Sequence, residues 1–166
     1  AGLILSMLFW STWGGFGGAP KFPSPANLFH LLAMTAPDSA HAGPAAMMFA
    51  ATLDAMARGG IYDQLAGGFH RYATDREWKV PHFEKMLYDN GLLLELYALE
   101  VERTGSAEAE RIVRETAAFL ERELVAPQGA FWSAIDAETH GHEGAYHVWT
   151  RGQIEEALGV EDATFL

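Results

Sequence analysis

The sequence predicts a mainly α fold of helical hairpins stacked around a shared centre, with short β segments in the connecting loops. Apolar residues recur at helical spacing over several stretches, each bounded by proline, glycine or a capping residue. One stretch is apolar around most of its circumference and the next on one face only. Inner and outer helices of stacked hairpins differ in that way. Between the helices, glycine–small–aromatic triplets lead into short strand-like runs.

Taken in order, Ser24 and Pro25 open a first helix that carries Leu28, Phe29, Leu31 and Leu32 and ends before Pro37. A second runs from Pro44 through Met47, Met48, Leu53 and Met56 to a stop at Gly59. A third is expected from Pro81 or His82 to Thr104, with Gly105 as its stop. Its leucines at 92, 93, 94, 96 and 99, with Tyr97, make it the enclosed helix. A fourth, from Ser106 to about Ala126, buries Ile112, Val113, Thr116, Phe119, Leu120 and Leu124 and ends before Pro127. A fifth begins at Thr150, which forms a capping box with Gln153, and ends at Gly159. The triplets are GGF (Gly14–Phe16 and Gly67–Phe69), GAF (Gly129–Phe131) and GAY (Gly144–Tyr146). Their spacing is irregular, so they mark similar connections at one end of a helical array rather than a strict repeat.

Composition narrows the function. The 166 residues are 49% hydrophobic and 20% charged, enough for one domain with a core. The formal net charge of −11 repels phosphate backbones, so nucleic acid is not an expected partner. There are no cysteines, hence no disulfide, zinc thiolate or redox dithiol, which suits a cytoplasmic protein. Residues 1–13, AGLILSMLFWSTW, are apolar but shorter than the ~20 residues of a spanning helix, and they lack a basic signal-peptide region. No membrane association is expected, and this lead segment reads as a buried strand or helix.

The densest chemistry lies in GGFHRYATDREWKVPHFEKMLYDN, Gly67–Asn90. On a helix counted from His82 at ~100° per residue, Lys85 and Asp89 fall within roughly 60° of it. Leu92 and Leu96 continue that stripe, whereas Glu84, Gly91, Glu95 and Glu102 follow a wetter line. A polar cluster at the end of an enclosed stripe is what a pocket mouth requires, and a helix N-terminus there favours an anion. In an extended run from Phe69 to Tyr72, His70 and Tyr72 point one way. His70, Arg71, Asp75 and Trp78 then form a polar rim over an aromatic floor, suited to carbohydrate. A plainer reading makes Lys85–Asp89 a surface ion pair, Arg71–Asp75 a loop lock and Trp78 core.

Two further stretches carry less. DAETHGHEGAYHVW crowds Asp136, Glu138, His140, His142, Glu143 and His147, but the spacing matches no metal signature and reads as a solvated acidic loop. No metal and no cofactor are expected. GGFGGAPKF lacks the ending of a phosphate loop, and there is neither a nucleophile elbow nor a cysteine nucleophile.

Together, GGFGGAPKFP (Gly14–Pro23), GGIYDQLAGGFHRYATDREWKVPHFEKMLYDN (Gly59–Asn90) and DAETHGHEGAYHVWT (Asp136–Thr150) resemble the spermatogenesis-associated protein 20 family of thioredoxin domain-containing proteins. The resemblance implies a partial (α/α)6 toroid of the six-hairpin glycosidase type, similar to N-acylglucosamine 2-epimerases. It implies that residues 14–166 are the first part of such a barrel, and that 1–13 is a junction or an aberrant start. The rest of the barrel and a thioredoxin-like domain would lie elsewhere in a longer parent chain. It also implies a sugar-like small-molecule substrate. On that basis His70 and His82 are the expected general acid/base groups, with Asp89 the third catalytic candidate. Lys85 and Asp89 would orient the histidines. Arg71, Tyr72, Asp75, Trp78 and Glu84 complete the expected substrate contacts, Tyr72 and Trp78 against the sugar ring. The alternative is a non-catalytic binding or scaffold domain fused to a thioredoxin-like domain.

Overall fold

The computed structural model describes residue 9 and residues 12–165. The expectation for the lead segment 1–13 therefore lies almost wholly outside the described residues. Helix α1 spans Pro25–Ala33, α2 Ala42–Arg58, α3 Leu87–Thr104, α4 Ala107–Phe119 and α5 Arg151–Leu158. Helix α1 packs on α2 and α3, and α3 pairs with α4 as a hairpin turned by Gly105 and Ser106. The main core sits among these helices, with Leu28, Leu31, Phe49, Leu53, Leu96 and Ile112 buried. Tyr97 adds a hydrogen bond across it, its hydroxyl donating to the Leu53 carbonyl at 2.6 Å. No helix among the described residues is long and apolar enough to cross a membrane.

Several boundaries follow their local signals. Pro25 sits in the first turn of α1, Ser106 accepts from the Ala109 amide at the start of α4, and Thr150 and Gln153 form the expected capping box. Ser24 precedes α1 in a left-handed conformation and its hydroxyl donates to Phe22 instead of capping the helix. Helix α4 widens into a π-turn, Leu120–Leu124, before Pro127.

Helix α3 departs from expectation. It starts at Leu87, not at Pro81 or His82. Four of the six preceding residues belong to two antiparallel ribbons. Strand β1 (Tyr72–Ala73) pairs with β2 (Pro81–His82), and β3 (Lys85–Met86) pairs with β4 (Ala134–Ile135). A third ribbon joins β5 (Glu138–Thr139) to β6 (His142–Glu143). Asn90 holds the junction, bonding both the amide and the carbonyl of Phe69 and the Met86 carbonyl. Cross-strand partners fix His82 and Lys85 as strand residues, so the helical stripe joining them to Asp89 does not form. Nor is α3 enclosed all round: Leu93, Leu96 and Tyr97 are buried, but Leu92 is 40% exposed.

The glycine-aromatic triplets are turns, and the second is the tightest. Gly67 and Gly68 have φ of 77° and 81°. A Cβ on Gly67 would lie 2.6 Å from the Glu115 carbonyl oxygen, and one on Gly68 would overlap the Phe119 ring. This contact seats the Ile61–Phe69 loop directly on α4. Gly68→Ala should therefore cost roughly 2–4 kcal/mol, the sum of left-handed strain and overpacking, read as a lower urea midpoint. A change under about 0.5 kcal/mol would refute the close packing.

Candidate functional site

The loop before β1 positions Asp63. Its Oδ1 accepts the amides of Leu65 and Ala66 at 3.0 and 2.9 Å, a local turn that aims Oδ2 inward. Lys85, delivered by β3, donates from Nζ to Asp63 Oδ2 at 2.8 Å and to the Gly67 carbonyl at 2.8 Å. Its ammonium also lies 4.5 Å from the centre of the Phe119 ring. Two histidines complete the group. His147 Nδ1 is 3.7 Å from Asp63 Oδ2, and its ring stacks on Phe83. His70 stands edge-on to both His147 and Phe83, with centroids 5.0 and 5.5 Å away.

Burial sets the charges here. Burial tends to raise the Asp63 carboxyl, but the Ala66 amide, the Lys85 ammonium and the Leu65 amide outweigh it and hold the pKa at about 2. Burial, then the nearby Lys85 and His147, push His70 down to about 3. His147 is lowered by burial and by Lys85, with Asp63 opposing. Lys85 is lowered by burial against the pull of Asp63. At neutral pH the group thus holds a paired lysine and carboxylate beside two neutral imidazoles.

A cleft of about 270 Å³ opens over this group, lined by Asp63, Lys85, Phe119, Asp136, Tyr146 and His147 among others. A second hollow of about 410 Å³ shares Asp63, Tyr146 and His147 and continues to Trp149. Tyr146 and Trp149 are exposed, offering ring faces to the solvent side. Of the expected catalytic and substrate-contact residues, Lys85 lines the cleft, and His70 lies against His147 at 2% exposure.

The other expected residues gather elsewhere. Arg71 donates to Glu84 at 2.8 Å, His82 Nδ1 lies 2.6 Å from Glu143 Oε1, and Tyr72 stacks on His82 with centroids 4.8 Å apart. Asp89 is raised to about 6 by burial, with Arg71 opposing and Glu84 adding to it. The structure therefore separates His82 and Asp89 from Lys85, while joining His70 to it. Arg71 and Asp75 do not pair. Asp75 instead accepts the amides of Glu77, Lys79 and Val80, closing a turn in which Trp78 adopts a left-handed φ of 66°. Trp78 is fully buried, its indole donating to the Trp13 carbonyl beneath the Lys21 ammonium, so its ring is core and offers no binding face.

Asp63 and the placement of His147 escaped sequence reasoning. Asp63 carried one legible signal, an Asx-type turn in DQLAGG. His147 was visible only as part of an acidic, histidine-rich loop; nothing local placed it beside a residue 84 positions earlier.

The hairpin arrangement is that of the (α/α)6 toroids. The chain superposes on the cellobiose 2-epimerase of Spirochaeta thermophila with a TM-score of 0.65 at 20% identity, over 81% of this chain and 36% of that one. The cellobiose 2-epimerase of Bacillus thermoamylovorans gives 0.67 at 14% identity, over 88% and 41%. A sugar epimerase from a ruminal bacterium gives 0.67 at 15%, over 98% and 48%. At these identities the likeness defines the fold class alone.

By sequence, the chain is a homologue of spermatogenesis-associated protein 20. It is 38% identical to the human protein over 154 residues, 88% of this chain and 20% of the relative. The mouse protein matches at the same identity, and an uncharacterised protein of Caenorhabditis elegans at 36% over 162 residues, 91% of this chain and 22% of that one. The chain thus spans about a fifth of the length of the curated relatives it matches. No protein-family model matches it.

Two outcomes follow from the electrostatics. Lys85→Met leaves the Asp63 carboxylate buried without its partner and should cost about 3–5 kcal/mol in chemical denaturation. Replacing both residues with apolar ones should recover much of that loss. His70, neutral when folded, binds a proton only when unfolded over the range between its folded value of about 3 and the ordinary 6.5. Stability from this group is full above about pH 6.5 and falls as pH drops. Between about pH 6.5 and 5, wild type should lose roughly 1.5 kcal/mol more than His70→Gln; equal losses would refute a neutral buried His70.

Proposed function

We propose that this domain binds a sugar in the cleft and moves a proton at the carbon beside the carbonyl of its open-chain form. The observation that carries this is His147, a neutral imidazole reaching a cleft whose floor holds the Lys85–Asp63 pair. A neutral histidine at physiological pH can take a proton from carbon, and the Lys85 charge stabilises the oxyanion that develops alongside. His70 backs the His147 ring. Tyr146 and Trp149 supply aromatic faces for the CH faces of a sugar, and Asp136 accepts from hydroxyls. Structural likeness to a cellobiose 2-epimerase and a sugar epimerase supports the same reaction class. The excess of carboxylates around the cleft favours unphosphorylated sugars.

In a variant of this reading, the group of His82, Asp89, Glu84, Arg71 and Tyr72 carries the acid/base work. A second reading makes the domain a binding or scaffold module within a longer thioredoxin-linked protein that also supplies the remaining hairpins. The near-complete burial of Lys85 and His70 favours it.

The test is incubation with candidate aldoses in deuterium oxide, following deuterium at the carbon next to the carbonyl by NMR. His147→Ala should lower exchange roughly 10²–10⁴-fold, whereas His82→Ala should change it by less than about tenfold. The opposite pattern assigns catalysis to the His82 group. Sugar binding with exchange no faster than in buffer would establish the binding module instead.

A further inference from the structure

Asp63 and His70 arrive from the connection between α2 and β1, and His147 from the one between β6 and α5. Each offers one ligand atom, and those atoms all lie within 4.8 Å of one another. Two imidazoles and a carboxylate are a donor set that holds divalent transition metals while leaving positions open. An independent observation points the same way. His70 is 2% exposed, and its buried Nδ1 has no hydrogen-bond partner. Buried ring nitrogens are normally satisfied, and a neutral imidazole nitrogen is the commonest protein ligand for such metals.

We propose that Asp63, His70 and His147 form a binding site for a borderline divalent transition metal of the Zn²⁺ type. Asp63 Oδ1 is taken by two backbone amides, so Oδ2 is the ligand oxygen. That oxygen also accepts from Lys85 at 2.8 Å, and an ammonium and a metal dication repel each other there. Metal entry therefore displaces the Lys85 ammonium from Asp63 or strips its proton. The facing charges are Lys85 and the nearby Arg122, which oppose the metal, and Asp63 with the cleft carboxylates Glu123 and Asp136, which favour it. The histidines in the acidic loop nearest to this one, His140 and His142, are exposed and take no part.

The inference does not depend on the sugar reading, because its test uses metal alone. The full chain is titrated with Zn²⁺ by calorimetry and with Co²⁺ by visible absorption. One ion per chain is expected, with ligand-field bands for Co²⁺. His147→Ala should weaken binding about tenfold or more, and the half-buried position makes that variant the safer one to fold. The pair His140→Ala/His142→Ala should leave binding unchanged. No binding at about 100 µM metal, equal binding in His147→Ala, or loss only in the His140/His142 variant would overturn the site. Deuterium exchange without metal bears only on the sugar reading, so the two fail separately.

Discussion

The buried pair Lys85–Asp63 is the constraint on which the site depends. It ties a loop after α2 to a strand before α3, with side chains exposed by only 3% and 11%. Two charges in such a place are tolerated because each has further partners: two amides on Asp63, a carbonyl and an aromatic face on Lys85. The pair leaves the cleft floor nearly neutral and polar. Burial lowers the affinity of both histidines for protons, and the Lys85 charge adds to it against the pull of Asp63.

Phe83 packs against both histidines of the site. Its ring stacks on His147 and meets His70 edge-on, and a side chain on Gly144 would collide with it. The loop carrying His147 is thereby fitted to the strand segment between His82 and Lys85. His82 reinforces this from the other side through Glu143 on β6. The two polar groups are thus neighbours across a single short segment, His82 and Glu84 on one side and Lys85 on the other. They share one support for the acidic loop.

Much of the helical framework was legible. Pro25 at the start of α1, Gly59 after α2, Ser106 before α4 and the capping box of α5 act within a turn of their own position, so local chemistry settles these boundaries. The start of α3 was not legible. Pro81–Met86 has no strong preference of its own, and its extended form is held by Tyr72–Ala73 and Ala134–Ile135, residues up to about fifty positions away. Misplacing that boundary by one and a half turns put Lys85 and His82 on one helical face. The ladders instead send Lys85 to Asp63 and His82 to Glu143.

The helical class, the order of the hairpins, the lack of cysteine and the concentration of polar and aromatic residues in Gly67–Asn90 are all readable from the amino-acid order. These follow from composition, periodicity and turn residues, which act locally. Which of those residues meet depends on long-range packing. It buried Trp78 in the core, engaged Asp75 in a turn, and brought Asp63 and His147 to His70 and Lys85. The physical reason is that buried charges and ring nitrogens must be matched by partners in space. In this fold those partners come from loops far apart along the chain.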